Sequence, residues 1–227
     1  MLRNIKTIVW DWNGTLLNDR AICLESINVL LNKRALPQLT DELYREVFGF
    51  PVQDYYAQIG FDFEKEPFEV PAHEFIAEFS ERLPQCPLHL DAERTLNTFK
   101  YMGLKQVILS AMEQEKLTQS VANLNIDEYF ENITGLNHDY ATSKSQLGLE
   151  MLAKLKIKPE EALLIGDTIH DFEVAQELGC KCVLIAEGHQ SLHRLKATGV
   201  PVFESLDQLL TEVRDYVIRV LVSETKS

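Results

Sequence analysis

Six residues have the types and placement to do chemistry together: Asp11, Asn13, Ser110, Lys144, Asp167 and Asp171. Asp11 ends the apolar run Thr7-Ile8-Val9-Trp10 and opens a loop punctuated by Gly14. β-branched and aromatic residues stopping at a turn signal read as a buried strand. Asp11 then lies at the strand's carboxyl end, where open α/β sheets bind ligands. Gly166-Asp167-Thr168-Ile169-His170-Asp171 sets two acids four residues apart at another strand end. Both can approach a hard cation that prefers oxygen. Ser110, between Val107-Ile108-Leu109 and Ala111, is expected at a strand-to-helix turn, where a hydroxyl and backbone amides suit a phosphate. Lys144, in Ala141-Thr142-Ser143-Lys144, opens a helix, where positive charge opposes the helix dipole unless an anion is held nearby.

The elements that must position these groups fall into two textures. Between Asp19 and Pro87 nothing reads as a strand. Asp19 can cap a helix carrying Leu24, Ile27 and Leu31 on one face, and Pro37 closes that segment. Thr40 opens a short helix with Leu43 and Val47 inward. Phe48-Gly49-Phe50-Pro51 interrupts, and Val52, Tyr55, Tyr56 and Ile59 resume until Gly60. After Pro71, Phe75, Ile76, Phe79 and Leu83 repeat the helical spacing. From Asp91 onward, helices alternate with short apolar strands at 106–109, 133–134, 162–165, 182–185 and 200–203, the sign of βαβ units and a mainly parallel sheet. Helices are expected at 113–124, from Ser143, at 171–178 and at about 206–221. The fold class is α/β: a Rossmann-like parallel sheet core with helices on both faces and an inserted all-helical cap domain. The core is expected over 1–17 and 88–227, and the cap over 18–87, hanging over the carboxyl end of the first strand as a lid.

The stretch Asp11-Trp12-Asn13-Gly14-Thr15-Leu16 resembles the first signature of the haloacid dehalogenase-like (HAD) hydrolases, an apolar strand followed by Asp-x-Asp-x-Thr-Leu. Ser110 is similar to the second HAD motif, Lys144 to the third, and Gly166-Asp167 with Asp171 to the fourth. The helical block resembles the cap that this family inserts after its first motif. Taken singly, a serine cap, a solvated lysine, and a turn aspartate with an N-cap aspartate are plain structural readings. Their order along the chain favours the family. The resemblance, closest to the phosphoglycolate phosphatase branch, implies a Mg2+-dependent phosphatase of a small phosphorylated metabolite. Asp11 would be the nucleophile, Ser110, Ala111 and Lys144 the phosphate clamp, and Asp11, Asp167 and the Asn13 backbone carbonyl the metal ligands. Asp171 would bind through water or orient Lys144. An aspartyl-phosphate splits one hard displacement into two easier ones, provided the site supplies countercharge.

Asn13 departs from the pattern. The family's second aspartate protonates the leaving alcohol and then activates water, whereas an amide can do neither. Four accounts follow: another group substitutes, the leaving group is good, turnover is slow, or the chain is a phosphometabolite-binding or regulatory protein. His170 and His189 are the natural substitutes, since histidine titrates near neutrality. His73, His89, His138 and His193 read as exposed, loop or cap residues. In the cap, Arg45 and Lys33-Arg34 could meet an anionic substrate tail, and Phe50 lies on the loop best placed to reach the site. For each of these, solvated surface or cap core is the commoner reading. Dehalogenation calls for no metal acid such as Asp167.

The 227 residues are 45% hydrophobic, enough for a sizeable core, and carry a net charge of −13. That sign opposes nucleic-acid and anionic-membrane partners. No apolar stretch approaches bilayer length and no export signal opens the chain, so cytoplasmic residence is expected, as a monomer or weak homodimer. Cys23, Cys86, Cys180 and Cys182 read as reduced and structural. There is no P-loop, Gly-x-Gly-x-x-Gly or Gly-x-Ser-x-Gly.

Overall fold

A computed structural model describes residues 2–136 and 143–224, without the side chains of 219–224. His138, Ala141 and Thr142 lie outside the described residues. In chain order the elements are β1 (Thr7–Trp10), α1 (Arg20–Lys33), α2 (Asp41–Val47), α3 (Val52–Gln58), α4 (Glu69–Arg82), α5 (Ala92–Tyr101), β2 (Lys105–Glu113), α6 (Gln114–Asn123), β3 (Asn132–Leu136), α7 (Lys144–Leu155), β4 (Ala162–Gly166), α8 (Ile169–Leu178), β5 (Lys181–Ile185), α9 (Leu192–Lys196), β6 (Val202–Phe203) and α10 (Leu206–Glu224). The six strands form one sheet in the order β3-β2-β1-β4-β5-β6, and every pairing is parallel. The order reverses at β1 and β4, the crevice where doubly wound sheets bind ligands.

Alternation along β1 divides the core between the two sheet faces. Ile8 and Trp10 pack on one face with Leu96 and Phe99 of α5, Leu117 and Val121 of α6 and Leu209 of α10. Val9, with Val107 and Leu109, packs on the other with Leu147 and Met151 of α7 and Val174 and Leu178 of α8. Strands buried on both faces explain the uninterrupted apolar runs. The four helices α1–α4 close around a cluster of their own, built on Ile27, Leu30, Leu31, Tyr44, Tyr55 and Tyr56. Arg34 pairs there with Glu66 and Glu74, and Lys33 with Glu78, so both cations are spent within the helical unit.

Several local expectations change. The inward side chain of α2 is Tyr44, while Leu43 is exposed. Ile76 is exposed on α4, a helix that starts at Glu69 and accommodates Pro71 in its first turn. β2 runs on through Ser110, Ala111 and Met112 to Glu113, so Ser110 lies in the strand's extension rather than at a strand-to-helix turn. The register against β3 slips between Leu109 and Glu113. A bulge of this kind re-aims side chains at a sheet edge, which is why an apolar-run count ends the strand too early. Asp171 is the third residue of α8, in a capping box with Thr168, rather than its N-cap.

Candidate active site

Trp10 pairs with Ile165, and the Asp11 amide donates to the Ile165 carbonyl at 2.9 Å, so Asp11 and Asp167 leave neighbouring strands side by side. Thr15 Oγ1 sits 3.0 Å from Asp11 Oδ2 and 3.1 Å from Asp167 Oδ1. A hydroxyl has one proton to donate, so it cannot satisfy both carboxylates at once. Lys144, at the first position of α7 and buried, donates from Nζ to Asp11 Oδ1 at 2.5 Å and to Asp171 Oδ1 at 2.6 Å. Asp171 Oδ2 accepts from Thr168 Oγ1 at 2.6 Å and from the Thr168 and Asp167 amides. The expectation for Asp171 left two options, and its oxygens here are spent on Lys144 and the turn.

The ammonium thus pairs with two of the three buried carboxylates, while Asp167 answers to the His189 charge. Burial, with Asp171 nearby, pushes Asp11 up to about 6. Burial pushes Asp167 up to about 8, against the opposing charge of His189. Lys144 is raised, because Asp11 and Asp171 outweigh the burial that would lower it, and Asp171 is lowered by Lys144 despite burial. The ligand oxygens of Asp11, Asp167 and Asp171 lie within 4.8 Å of one another. An excess of buried negative charge on hard oxygen donors fits a divalent cation such as Mg2+.

Glycine makes this crowding possible. Gly14 has φ +75°, and a Cβ there would strike the Asp167 carboxylate and the His189 ring. A Cβ on Gly188 would strike Asp167 Oδ2 and the Gly14 carbonyl. The loop after β5 also donates the His189 amide to Asp167 Oδ2 at 2.6 Å.

The half-buried Asn13 projects its amide away from this cluster, donating from Nδ2 to Asp19 Oδ2 at 2.7 Å. Asp19 is fully buried and does not cap α1 with its side chain. Its Oδ1 accepts from the Gly14 amide at 2.8 Å and lies 3.2 Å from His189 Nε2. Burial would raise Asp19, but the His189 charge and hydrogen bonds from His189, Asn13 and Gly14 leave it lowered. Burial would lower His189, yet Asp19 above all, with Asp167 and Asp11, raises it to about 9. The imidazolium donates through Nε2 to Asp19 and through Nδ1 to Tyr44 Oη at 2.9 Å. Both ring nitrogens are thus committed.

The remaining candidates scatter. Ser110 is buried at the same sheet edge, two residues beyond the β1 partner Ile108, and its Oγ accepts from the Met112 amide at 3.0 Å. Ala111 beside it is exposed. His170 stacks on Phe50 at 4.8 Å, and its Nδ1 lies 3.4 Å from Glu173 Oε2. Phe50 is 42% exposed and caps the start of α8 through that stack. Arg45 donates to the Ala186 carbonyl at 2.5 Å and to the Gln190 carbonyl at 3.3 Å, so its charge docks the helical unit on the sheet loop instead of facing solvent. Gln190 and Arg194 reach back to the Phe48 carbonyl at 2.9 and 2.7 Å. His89, read as an exposed, loop or cap residue, lies in the loop before α5 but is buried, with Nε2 3.0 Å from the Gly14 carbonyl. His73 and His193 are exposed.

Thr15, Asp19, Tyr44, Gly188 and His89 are the site's unforeseen members. Asp19 follows a strand-and-loop signature and precedes a helix, a position where a cap is the ordinary reading. Only the amide at 13, lacking a partner of its own, signals that a nearby carboxylate is engaged.

Residues 8–185 match the family described as haloacid dehalogenase-like hydrolase. Among curated proteins the chain is similar to pyrophosphatase PpaX of Anoxybacillus flavithermus, 26% identical over 81% of this chain and 84% of that one. It is also similar to phosphoglycolate phosphatase of Aquifex aeolicus, 24% identical over 83% and 88%. Among solved structures, the haloacid dehalogenase-like family protein SP0104 from Streptococcus pneumoniae superposes with a TM-score of 0.80 at 18% identity, covering 93% of this chain and 99% of that one. The family match spans most of the chain, and the sheet is parallel as expected: the chain belongs to the haloacid dehalogenase-like hydrolases.

Proposed function

We propose that the protein is a phosphatase of small phosphorylated compounds that works through an aspartyl-phosphate on Asp11. The observation that carries this reading is the Lys144 ammonium held between Asp11 and Asp171 with Asp167 alongside. Asp11 Oδ attacks phosphorus, the bond to the leaving oxygen breaks with its electron pair, and water later cleaves the acyl-phosphate. Lys144, the Ser110 hydroxyl and the Ala111 amide hold the phosphoryl oxygens. Asp11, Asp167 and the Asn13 carbonyl would hold Mg2+, whose chemistry there is to neutralise phosphoryl charge. Residues 18–87 act as a cap, with Arg45 docking it and Phe50 at its substrate-facing loop.

Asn13 narrows the substrate. It has no proton to give and His189 has no free nitrogen, so leaving groups that depart unprotonated are favoured: phosphoanhydrides and acyl phosphates ahead of alkyl phosphates such as phosphoglycolate. The relatives named pyrophosphatase support that order. The same two residues also support a second reading, a phosphometabolite-binding or regulatory protein with little turnover. Steady-state hydrolysis of an activated aryl phosphate, pyrophosphate, acetyl phosphate and phosphoglycolate with Mg2+ tests both. Turnover that disappears in Asp11→Asn supports the enzyme. Phosphate binding with no Asp11-dependent turnover on any of the four leaves the binding protein.

A further inference from the structure

Beside the carboxylate cluster lies a second group of ligating side chains with a different character. Asp19, Cys23 and His189 are all buried, and their ligand atoms lie within 4.8 Å of one another. Asp19 and Cys23 come from the start of α1, one turn apart, while His189 comes from the loop after β5. The carboxylate presents Oδ1 to His189 Nε2 at 3.2 Å and Oδ2 to Cys23 Sγ at 3.6 Å.

Those separations have a meaning for a tetrahedral ion. With bonds of about 2.0 Å to oxygen and nitrogen and about 2.3 Å to sulfur, ligand-to-ligand edges are about 3.3 Å for O···N and about 3.5 Å for S···O. The two contacts, 3.2 Å through Oδ1 and 3.6 Å through Oδ2, use different oxygens of Asp19, so the carboxylate must turn to present one oxygen to an ion held also by His189 and Cys23, all three ligand atoms already lying within 4.8 Å. Each carboxylate oxygen has two acceptor positions, so Asp19 keeps its bonds from Gly14 and Asn13 while turning its other lone pairs to an ion. Tyr44 Oη on His189 Nδ1 fixes the ring with Nε2 inward, the outer support that metal-bound imidazoles have.

We propose that Asp19, Cys23 and His189 form a binding site for one zinc-class divalent ion, separate from the all-carboxylate cluster of Asp11, Asp167 and Asp171. One thiolate, one imidazole and one carboxylate select a borderline-soft metal, whereas Mg2+ prefers the oxygen-only cluster. On binding, the ion replaces the Cys23 thiol proton and the His189 Nε2 proton, and both pass to solvent. The fourth position is open to water. Cys180 and Cys182 belong to no such cluster among the described residues. Because Cys23 sits on α1 and His189 on the sheet loop, the ion staples the helical unit to the sheet.

The test is cobalt titration of the full chain under reducing conditions, with Mg2+ in excess to occupy the carboxylate cluster. The site predicts one tightly bound Co2+ per chain, with tetrahedral visible bands and a near-ultraviolet thiolate-to-cobalt charge-transfer band. Zn2+ should bleach both. The charge-transfer band should vanish in Cys23→Ser, and Co2+ affinity should fall at least tenfold there. Wild-type protein that saturates with Co2+ without a thiolate band overturns the proposal, whether or not the variant folds. So does an unchanged band in a folded Cys23→Ser, which would move the thiolate to another cysteine.

Discussion

Asn13 invites the obvious repair, Asn13→Asp, and the structure predicts that this change alone fails. The amide at 13 donates to Asp19 Oδ2 at 2.7 Å, and Asp19 is fully buried. A carboxylate at 13 removes a hydrogen bond to a charged acceptor, worth about 1.5–3 kcal/mol. It also sets two like charges in contact, a repulsion of about 4 kcal/mol for charges 4 Å apart at an effective dielectric of 20. His189 and a rotation of the new side chain offset part of this, leaving a destabilisation of about 3–5 kcal/mol. The reciprocal double change, Asn13→Asp with Asp19→Asn, rebuilds the contact with donor and acceptor exchanged. It should recover about 2–4 kcal/mol relative to the sum of the single changes. On a poor leaving group such as an alkyl phosphate, where a proton donor matters most, Asn13→Asp alone should gain less than about tenfold. The double variant should gain about 10²–10⁴-fold, the ordinary contribution of a positioned acid/base. Urea denaturation of the four proteins gives the coupling, and initial rates with Mg2+ give the activity. Full rescue by Asn13→Asp at unchanged stability would refute the claim that Asp19 governs position 13, as would a double variant no better than the single.

Lys144→Met should cost about 3–5 kcal/mol in urea denaturation and abolish turnover, because it strands Asp11 and Asp171 as buried unpaired charges; a loss under about 1 kcal/mol would show that the pair carries no such balance. Gly188→Ala should lower stability by about 1–3 kcal/mol and weaken Mg2+ binding, since its Cβ has nowhere to go but into Asp167 and the Gly14 carbonyl; unchanged calorimetric affinity for Mg2+ would count against Asp167 as a ligand. Mg2+ at a hundred times its Kd should stabilise the wild type by about 2.7 kcal/mol in thermal unfolding. That gain should be absent in Asp167→Asn, and its persistence there would place the ion elsewhere.

The sheet was legible because its strands are buried on both faces. A strand flanked by helices above and below must be apolar throughout, so 7–10, 162–165 and 182–185 stand out, and the alternation with helical spacing fixes parallel connections. Asp11, Lys144 and Asp167 stand out because each follows a strand or opens a helix, and Asp171 because it lies four residues beyond Asp167. Long-range geometry was hidden. The extension of β2 past Ser110 depends on pairing with β3 across a bulge, which no local pattern announces. Arg45 looked solvated because its acceptors, the Ala186 and Gln190 carbonyls, lie about 140 residues away, and backbone acceptors leave no mark in the side-chain sequence. The burial of the loop residue His89 is hidden for the same reason, its partner being the Gly14 carbonyl.

Asp19 is the most instructive miss, because its helix-capping position is real while its side chain does something else. Ncap aspartates ordinarily satisfy the first free amides of their own helix. This one turns back, takes the Gly14 amide, the Asn13 amide and the His189 imidazolium, and leaves α1 without a side-chain cap. Giving up a cap costs about 1 kcal/mol, and a buried carboxylate is tolerated only when charge and hydrogen bonds surround it. Those three partners outweigh burial and keep Asp19 ionised. The negative charge missing at 13 is therefore present six residues later, outside the cluster of Asp11, Asp167 and Asp171 and facing Cys23 instead. An aspartate at 13 would add a fourth carboxylate to a centre with one lysine, whereas an aspartate at 19 brings its own cation, His189. The same arrangement leaves an amide at position 13 and sets oxygen, nitrogen and sulfur donors together beside the start of α1.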